Sequence, residues 1–356
     1  MSHQELSSKT KNLIKGLFKE YYKKTDLRIP EDFILREFAF QTFDSDSYIR
    51  HKSFGSISTL KEYVISITPK HAYFSSALYR EPSAENMDEK GWLGSDLVFD
   101  IDANEIPGCN PMRVNVCLDG GCDDVELIND ECLELAKEHE EELVEVLIND
   151  LGFKHDEIEI QFSGNRGFHT RVHPRDQSWL SLDSSARREI VDYLKGVDLD
   201  LRYIVLTSSR SKKVRLSIPR TDEGGWRRRL AKKLINTGLE DLRSKLNEVI
   251  PRCVIHVDEK VTIDTSRLVR IQGSLNGKTG LKVIKLDMNE LQNFKLREEL
   301  SPFTSYTALI IPTADINNIN ILGYELSFMK GMSYKVPASI AIYLALNKLA
   351  YINKII

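Results

Sequence analysis

In SDLVFDID, residues 95–102, Val98, Phe99 and Ile101 are residues that a sheet buries, yet Asp100 and Asp102 interrupt them. In a strand, residues i and i+2 share a face, so the two carboxylates project together with their Cα atoms about 7 Å apart. Held that way they repel unless a cation sits between them. Mg²⁺ prefers oxygen ligands and is commonly shared with substrate phosphates. The plainer alternative is that both lie in water past the strand's end. A third carboxylate, Asp264 in VTIDTSRLVR, closes another β-branched run, with Asp258 and Asp96 as competitors. Three acidic ligands suit two divalent metals in phosphoryl transfer.

Two loops have the chemistry to grip phosphates. SGNRGFH, 163–169, follows a strand-like run. Gly164 and Gly167 allow close backbone approach, Ser163 offers a hydroxyl, Arg166 a bidentate fork, and His169 a donor near neutral pH. GSLNGKTGL, 273–281, displays Lys278 among three glycines. It lacks P-loop spacing, and no GxGxxG fingerprint occurs, which speaks against a Rossmann dinucleotide site. Tight turns with exposed polar groups are the ordinary alternative for both.

Cys109, Cys117, Cys122 and Cys132 fall within one short segment, with Cys253 far away. Their spacing is not that of tight C-x₂-C pairs. Four thiolates can close a tetrahedral Zn²⁺ site; residue type alone does not exclude an iron–sulfur cluster, the plainer alternative is partly buried free thiols, and Cys132 could be core. RRRLAKK, 227–233, could follow a nucleic-acid backbone, or could be the solvated face of a helix carrying Trp226, Leu230 and Leu234.

These groups need elements to position them. Helical spacing predicts helices over 7–24, 132–149, 184–195 and 226–249, and the apolar run 337–352 closes the chain as a helix. Strand character marks REFAFQTF, YVISIT, AYFSSALY, DLVFDID, IEIQF, VTIDTSRLVRIQGS and GLKVIKL. Residues 106–131 show little periodicity and look like an insertion in one α/β body. The 356 residues, 41% hydrophobic and 29% charged, are ample for a core and are not a disordered composition. No apolar run approaches the ~20 residues of a membrane span and no leader is seen, so the cytosol is the expected location. Net charge is −4, but residues 119–159 hold 16 acidic and two basic side chains while 202–233 hold 11 basic and two acidic. That asymmetry suggests faces that meet different partners, or simply two solvated faces.

Taken in order, REFAF, YREPS, LVFDIDA, SGNRGFH, VTIDTSRLVRIQGSLNGKTGL and SPFTSYT resemble the catalytic (small) subunit of archaeal and eukaryotic DNA primases, the archaeal form more closely. The resemblance runs from about residue 30 to the C-terminus. It implies an α/β (α+β) prim fold, with two facing mixed or antiparallel sheets flanked by helices and a small zinc-binding insertion. The body would be 1–105 and 155–356, with a mainly helical part at about 184–250, and the insertion with its following helix 106–154. It implies Asp100, Asp102 and Asp264 as ligands of catalytic Mg²⁺ or Mn²⁺. Ser163, Arg166, His169 and Lys278 would hold a nucleoside triphosphate, with Arg36 and Arg80 near the site. Cys109, Cys117, Cys122 and Cys132 would be structural zinc ligands. The activity implied is synthesis of short RNA, or DNA, primers on single-stranded DNA, in a heterodimer with a large regulatory subunit. The chain departs from the family at Asn276, where histidine is usual, and at Gln272, where proline is usual. Two other classes share some of these features: a two-metal nuclease or phosphatase, which does not need two triphosphate-gripping loops, and a non-catalytic nucleic-acid-binding relative.

Overall fold

The computed structural model describes residues 3–118, 121–200, 204, 219–234, 246 and 248–356. The chain opens with α1 (His3–Lys24), then β1 (Phe38–Thr42), β2 (Tyr48–Lys52), α2 (Ile57–Ile67), β3 (Pro69–Ser75) and a small pair, β4 (Ala77–Tyr79) and β5 (Trp92–Ser95). β6 (Leu97–Asp102) carries the paired carboxylates. β7 (Met112–Leu118) and β8 (Gly121–Leu127) form a hairpin that leads into α3 (Asp130–Asn149). β9 (Ile158–Phe162) and β10 (Gly167–Val172) form another, followed by α4 (Gln177–Leu180), α5 (Ser184–Lys195), α6 (Gly225–Lys233) and α7 (Glu259–Ile263). β11 (Leu268–Arg270), β12 (Ile284–Leu286), α8 (Met288–Gln292), β13 (Thr307–Pro312), β14 (Ile316–Ile321), β15 (Tyr324–Phe328), β16 (Tyr334–Pro337), α9 (Ala338–Leu346) and β17 (Ala350–Ile355) complete it.

Two four-stranded sheets organise the molecule, ordered β11-β3-β1-β2 and β12-β9-β10-β6. Every pairing within them is antiparallel. Residues from both line one cavity, so the sheets face each other across it. A third sheet, β16-β13-β17, packs against α1 and α9. Alternation explains the layering. Val98 is the one residue of Leu97–Phe99 that also touches the cavity, while Leu97, Phe99 and Ile101 are fully buried on the other side.

The structure changes several expectations. YVISIT is not a strand but the end of α2. Leu60 and Val64, four residues apart, bury one face, and Ser56 Oγ caps the helix by accepting from the Thr59 N–H. Its β-branched residues suggested a strand, but the cap and the packed stripe outweigh that weak preference. The run before Asp264 is likewise the short helix α7, and only Leu268–Arg270 beyond it is strand. The last helix stops at Leu346, and the chain returns as β17. Of the helix expected over 226–249, Gly225–Lys233 is described, and 235–245 lie outside the described residues. Trp226, Leu230, Leu234, Leu246 and Val249 form a satellite core with Cys253, as their spacing required.

The cysteine segment is the largest correction. Instead of an irregular loop it is a regular hairpin paired from Met112↔Leu127 to Leu118↔Gly121. Val114 and Val116 alternate inward, a period-2 signal diluted by the surrounding acidic residues. Its sulfurs are joined in two pairs, Cys109–Cys132 at the base and Cys117–Cys122 across the strands near the tip. At about 3.3 Å per residue the run from Met112 to Cys117 separates them by roughly 15 Å. Four sulfurs on one Zn²⁺ each lie about 2.3 Å from it. The four cysteines therefore do not fit a single zinc centre here.

Candidate active site

The site begins with strand register. Asp100 on β6 stands opposite His169 on β10, and Asp102 stands opposite Gly167. Directly opposed residues share a sheet face, so pairing alone brings the carboxylates beside SGNRGFH. The approach depends on Gly167, because a Cβ there would lie 2.0 Å from the Ile101 carbonyl oxygen.

A cavity of about 390 Å³ lies between the two sheets. Asp100, Asp102, Asp264, Ser163, Arg166, His169 and Lys278 all border it, as does Asn276. Arg166 donates from Nε (3.2 Å) and Nη2 (3.1 Å) to the same Asp102 oxygen, Oδ2. His169 Nε2 stands 3.3 Å from Asp100 Oδ1, yet that buried oxygen has no aligned hydrogen bond. Burial works against ionising Asp100, but the charges of His169, Arg267 and Arg270 outweigh it and hold its pKa below the usual carboxylate value. Asp102 moves the other way: burial and then the Asp100 charge raise its pKa, with Arg166 offsetting part of the rise. An unpartnered buried carboxylate oxygen beside a second carboxylate strained by its charge is a donor set that fits a divalent cation.

Asp264 caps the C-terminal end of α7, and its Oδ1 accepts from the N–H and Oγ of Ser266, both at 2.8 Å. It belongs to the same cavity. However, among the described residues no three His, Cys, Asp or Glu side chains are gathered closely enough to hold one ion. Asp264 thus borders the same cavity as the Asp100–Asp102 pair, held in place by Ser266. Its competitors are occupied elsewhere. Asp96 is fully buried between Arg36 (2.9 Å), Arg171 (3.0 Å) and His173 (2.5 Å), and Asp258 caps α7 through the Lys260 N–H.

Asn276 ties the phosphate-facing loops together. Its Nδ2 donates to the Ser163 carbonyl and its Oδ1 accepts from the Lys278 N–H, each at 2.9 Å. Thr279 Oγ1 donates to the Gly164 carbonyl. Gly164, at φ +77°, packs so closely that a Cβ would lie 2.8 Å from that of Asn276. Gln272, the other departure from the family pattern, is buried outside the cavity, with its main-chain carbonyl bridged to the Arg28 N–H. Burial, followed by Arg166 and Arg270, lowers the Lys278 pKa.

Two arginines expected near the substrate are not there. Arg36 is fully buried, held by Asp32, Asp96 and the carbonyls of Ser75 and Ser76, so it is a strut behind the sheet. Arg80 is exposed and does not border the cavity. Other residues take up that wall. Arg270 lies over the Tyr73 ring at 5.0 Å and donates to His71 Nδ1 at 2.8 Å, and the same nitrogen accepts from the Gly277 N–H at 3.2 Å. Burial, aided by Arg270, Lys70 and Lys278, lowers the His71 pKa to about 2, so the ring stays a neutral acceptor. The parity of His71 and Tyr73 in PKHAYFS was a signal for this wall; their distance in sequence from the acidic motifs hid it.

The charge asymmetry has an internal explanation. Arg228 of α6 pairs with Asp150 at 2.8 Å and Glu145 at 3.5 Å, and Lys232 and Lys233 pair with Glu145 and Glu142 of α3. The basic helix therefore neutralises the acidic one. The rest of the basic stretch, 205–218, lies outside the described residues. Among the described residues no helix is long and apolar enough to cross a membrane.

The DNA primase small subunit family matches residues 99–287, the span holding the acidic strand, both phosphate-facing loops and Asp264. The DNA primase small subunit PriS of Hyperthermus butylicus is 34% identical over 369 residues, covering 96% of each chain. That of Sulfolobus acidocaldarius is 38% identical, covering 94% of this chain and 93% of its own, and that of Saccharolobus solfataricus is 37% identical, covering 96% of each.

Proposed function

Because the chain belongs to the DNA primase small subunit family, we propose that its cavity joins nucleoside triphosphates into short RNA, or DNA, primers along single-stranded DNA. One observation carries this reading: a carboxylate pair, the cations Arg166 and Lys278 and the imidazole of His169 meet in one cavity between two sheets. Asp100 and Asp102 would hold Mg²⁺ or Mn²⁺, with Asp264 as a further ligand from the same cavity. When bound, these ions lower the pKa of an attacking hydroxyl and draw charge from the reacting phosphate.

The chain's own groups do the rest. Arg166, His169 and Lys278 offset charge on the triphosphate. Asn276 ties the two loops together through the Ser163 carbonyl and the Lys278 N–H. Asp102 is already engaged by Arg166, so ion binding has to share or displace that pair. A large regulatory subunit is the expected partner.

The test is incorporation of labelled ribo- and deoxynucleotides on single-stranded DNA, with and without the large subunit. The wild type should extend primers with Mg²⁺ or Mn²⁺. Asp100→Asn and Asp264→Asn should each lose at least about a thousandfold in rate while melting cooperatively. Normal incorporation by Asp100→Asn would overturn the assignment, and degradation of the DNA without incorporation would point to a nuclease instead.

A further inference from the structure

His169 has two ring nitrogens, and which of them carries the proton decides whether it donates to a ligand in the cavity or accepts from one. The structure contains a residue placed to decide this. Gln161 on β9 lies opposite His169, which lies opposite Asp100. The three form one row across three strands, on the face turned to the cavity. Gln161 is only 2% exposed and does not border the cavity itself. An amide is out of place in IEIQF, where a branched apolar residue would bury at lower cost.

Gln161 Nε2 lies 3.4 Å from His169 Nδ1 and donates at 3.4 Å to the carbonyl of Arg270. Arg270 belongs to the other sheet, so this amide bridges the sheets behind the cavity. The second contact sets the direction of the amide. Turned over, Gln161 Oε1 would face the Arg270 carbonyl, acceptor against acceptor. Oε1 is instead left buried without a partner, a cost that the two N–H contacts sustain. With an N–H directed at Nδ1, that nitrogen has to accept, and the single proton of the neutral ring sits on Nε2. Nε2 is the atom 3.3 Å from Asp100 Oδ1.

We infer that Gln161 is a positioning residue that fixes His169 as its Nε2–H tautomer, so that the ring presents a donor on the Asp100 side of the cavity. The tautomer follows from geometry alone, and only its consequence for nucleotide binding rests on the function proposed above.

The experiment uses the full chain labelled with ¹⁵N-histidine. The His169 signal among the eight histidines is assigned by its loss in His169→Ala. Long-range ¹H–¹⁵N spectra of the neutral ring should show the wild-type proton on Nε2. Gln161→Glu, which replaces the donor with an acceptor, should move it to Nδ1, and Gln161→Met, of similar length with no donor, should give a mixture. The KM for nucleotide should rise about 5- to 20-fold in Gln161→Glu, with a smaller change in kcat. A wild-type proton on Nδ1, or wild-type spectra from both variants, overturns the inference. If Gln161→Glu does not fold, Gln161→Met decides alone. The predicted tautomer shifts in a protein that incorporates no nucleotide would support the Gln161 assignment and sink the proposed activity.

Discussion

Asn276 donates a 2.9 Å hydrogen bond to the main-chain carbonyl of Ser163, a residue 113 positions earlier in the chain. With the Lys278 N–H on its other side, this one buried amide sets the spacing of the two loops that face the cavity. Asn276→Ala removes both bonds and should destabilise the protein by about 1–3 kcal/mol. It should also raise the KM for nucleotide more than it lowers kcat. Denaturant melts and initial rates check this, and an unchanged KM would reduce Asn276 to a fold-stabilising residue.

Gly167 and Gly16 form a contrasting pair. A Cβ on Gly167 would enter the Ile101 carbonyl, whereas Gly16, within α1, has nothing within 4 Å. Gly167→Ala should cost more than about 2 kcal/mol and abolish incorporation by forcing β6 and β10 apart. Gly16→Ala should stabilise the protein by about 0.5–1 kcal/mol. Thermal melts of the two variants should shift in opposite directions.

Glu140 of α3 lies fully buried behind β10 and accepts from Thr170 Oγ1, with its other oxygen unpartnered. Burial pushes its pKa up to about 8 from an ordinary 4.5. Below pH 4.5 the group is neutral in both the folded and unfolded states, and its contribution to stability is full. Between 4.5 and about 8 the unfolded chain releases a proton that the folded chain keeps, so stability falls as pH rises. At 1.36 kcal/mol per unit the total reaches roughly 5 kcal/mol. Glu140→Gln should flatten that slope in denaturant melts across this range. An unchanged slope would mean that the carboxyl is ionised in the folded protein.

The cysteine pairs predict that non-reducing peptide mapping will find Cys109 linked to Cys132 and Cys117 to Cys122. Reductant should lower stability by about 3 kcal/mol, mainly through the longer Cys109–Cys132 loop, while chelators of Zn²⁺ leave the melt unchanged. One equivalent of tightly held zinc, with a melt lowered by chelation, would reinstate the zinc centre.

The sequence by itself determined the local pieces: the acidic strand, the two glycine-bearing loops, the amphipathic helices and the satellite core around Trp226. Each of these is written in nearest-neighbour chemistry, as parity in a strand or as period in a helix. It even held the signal for the family, because six motifs in order carry information that no single motif does. Tertiary structure decided what those pieces touch. YVISIT became a helix once Leu60 and Val64 had a core to face. The cysteines separated to the two ends of a hairpin because strand pairing outranked proximity in sequence. Arg36 was drawn into the interior by Asp96, and α6 met α3 instead of solvent. His71, Arg270 and Gln161 joined the site only because two sheets close over it. Contacts between residues far apart along the chain depend on how the sheets pack, and packing is a property of the whole chain that no local pattern contains.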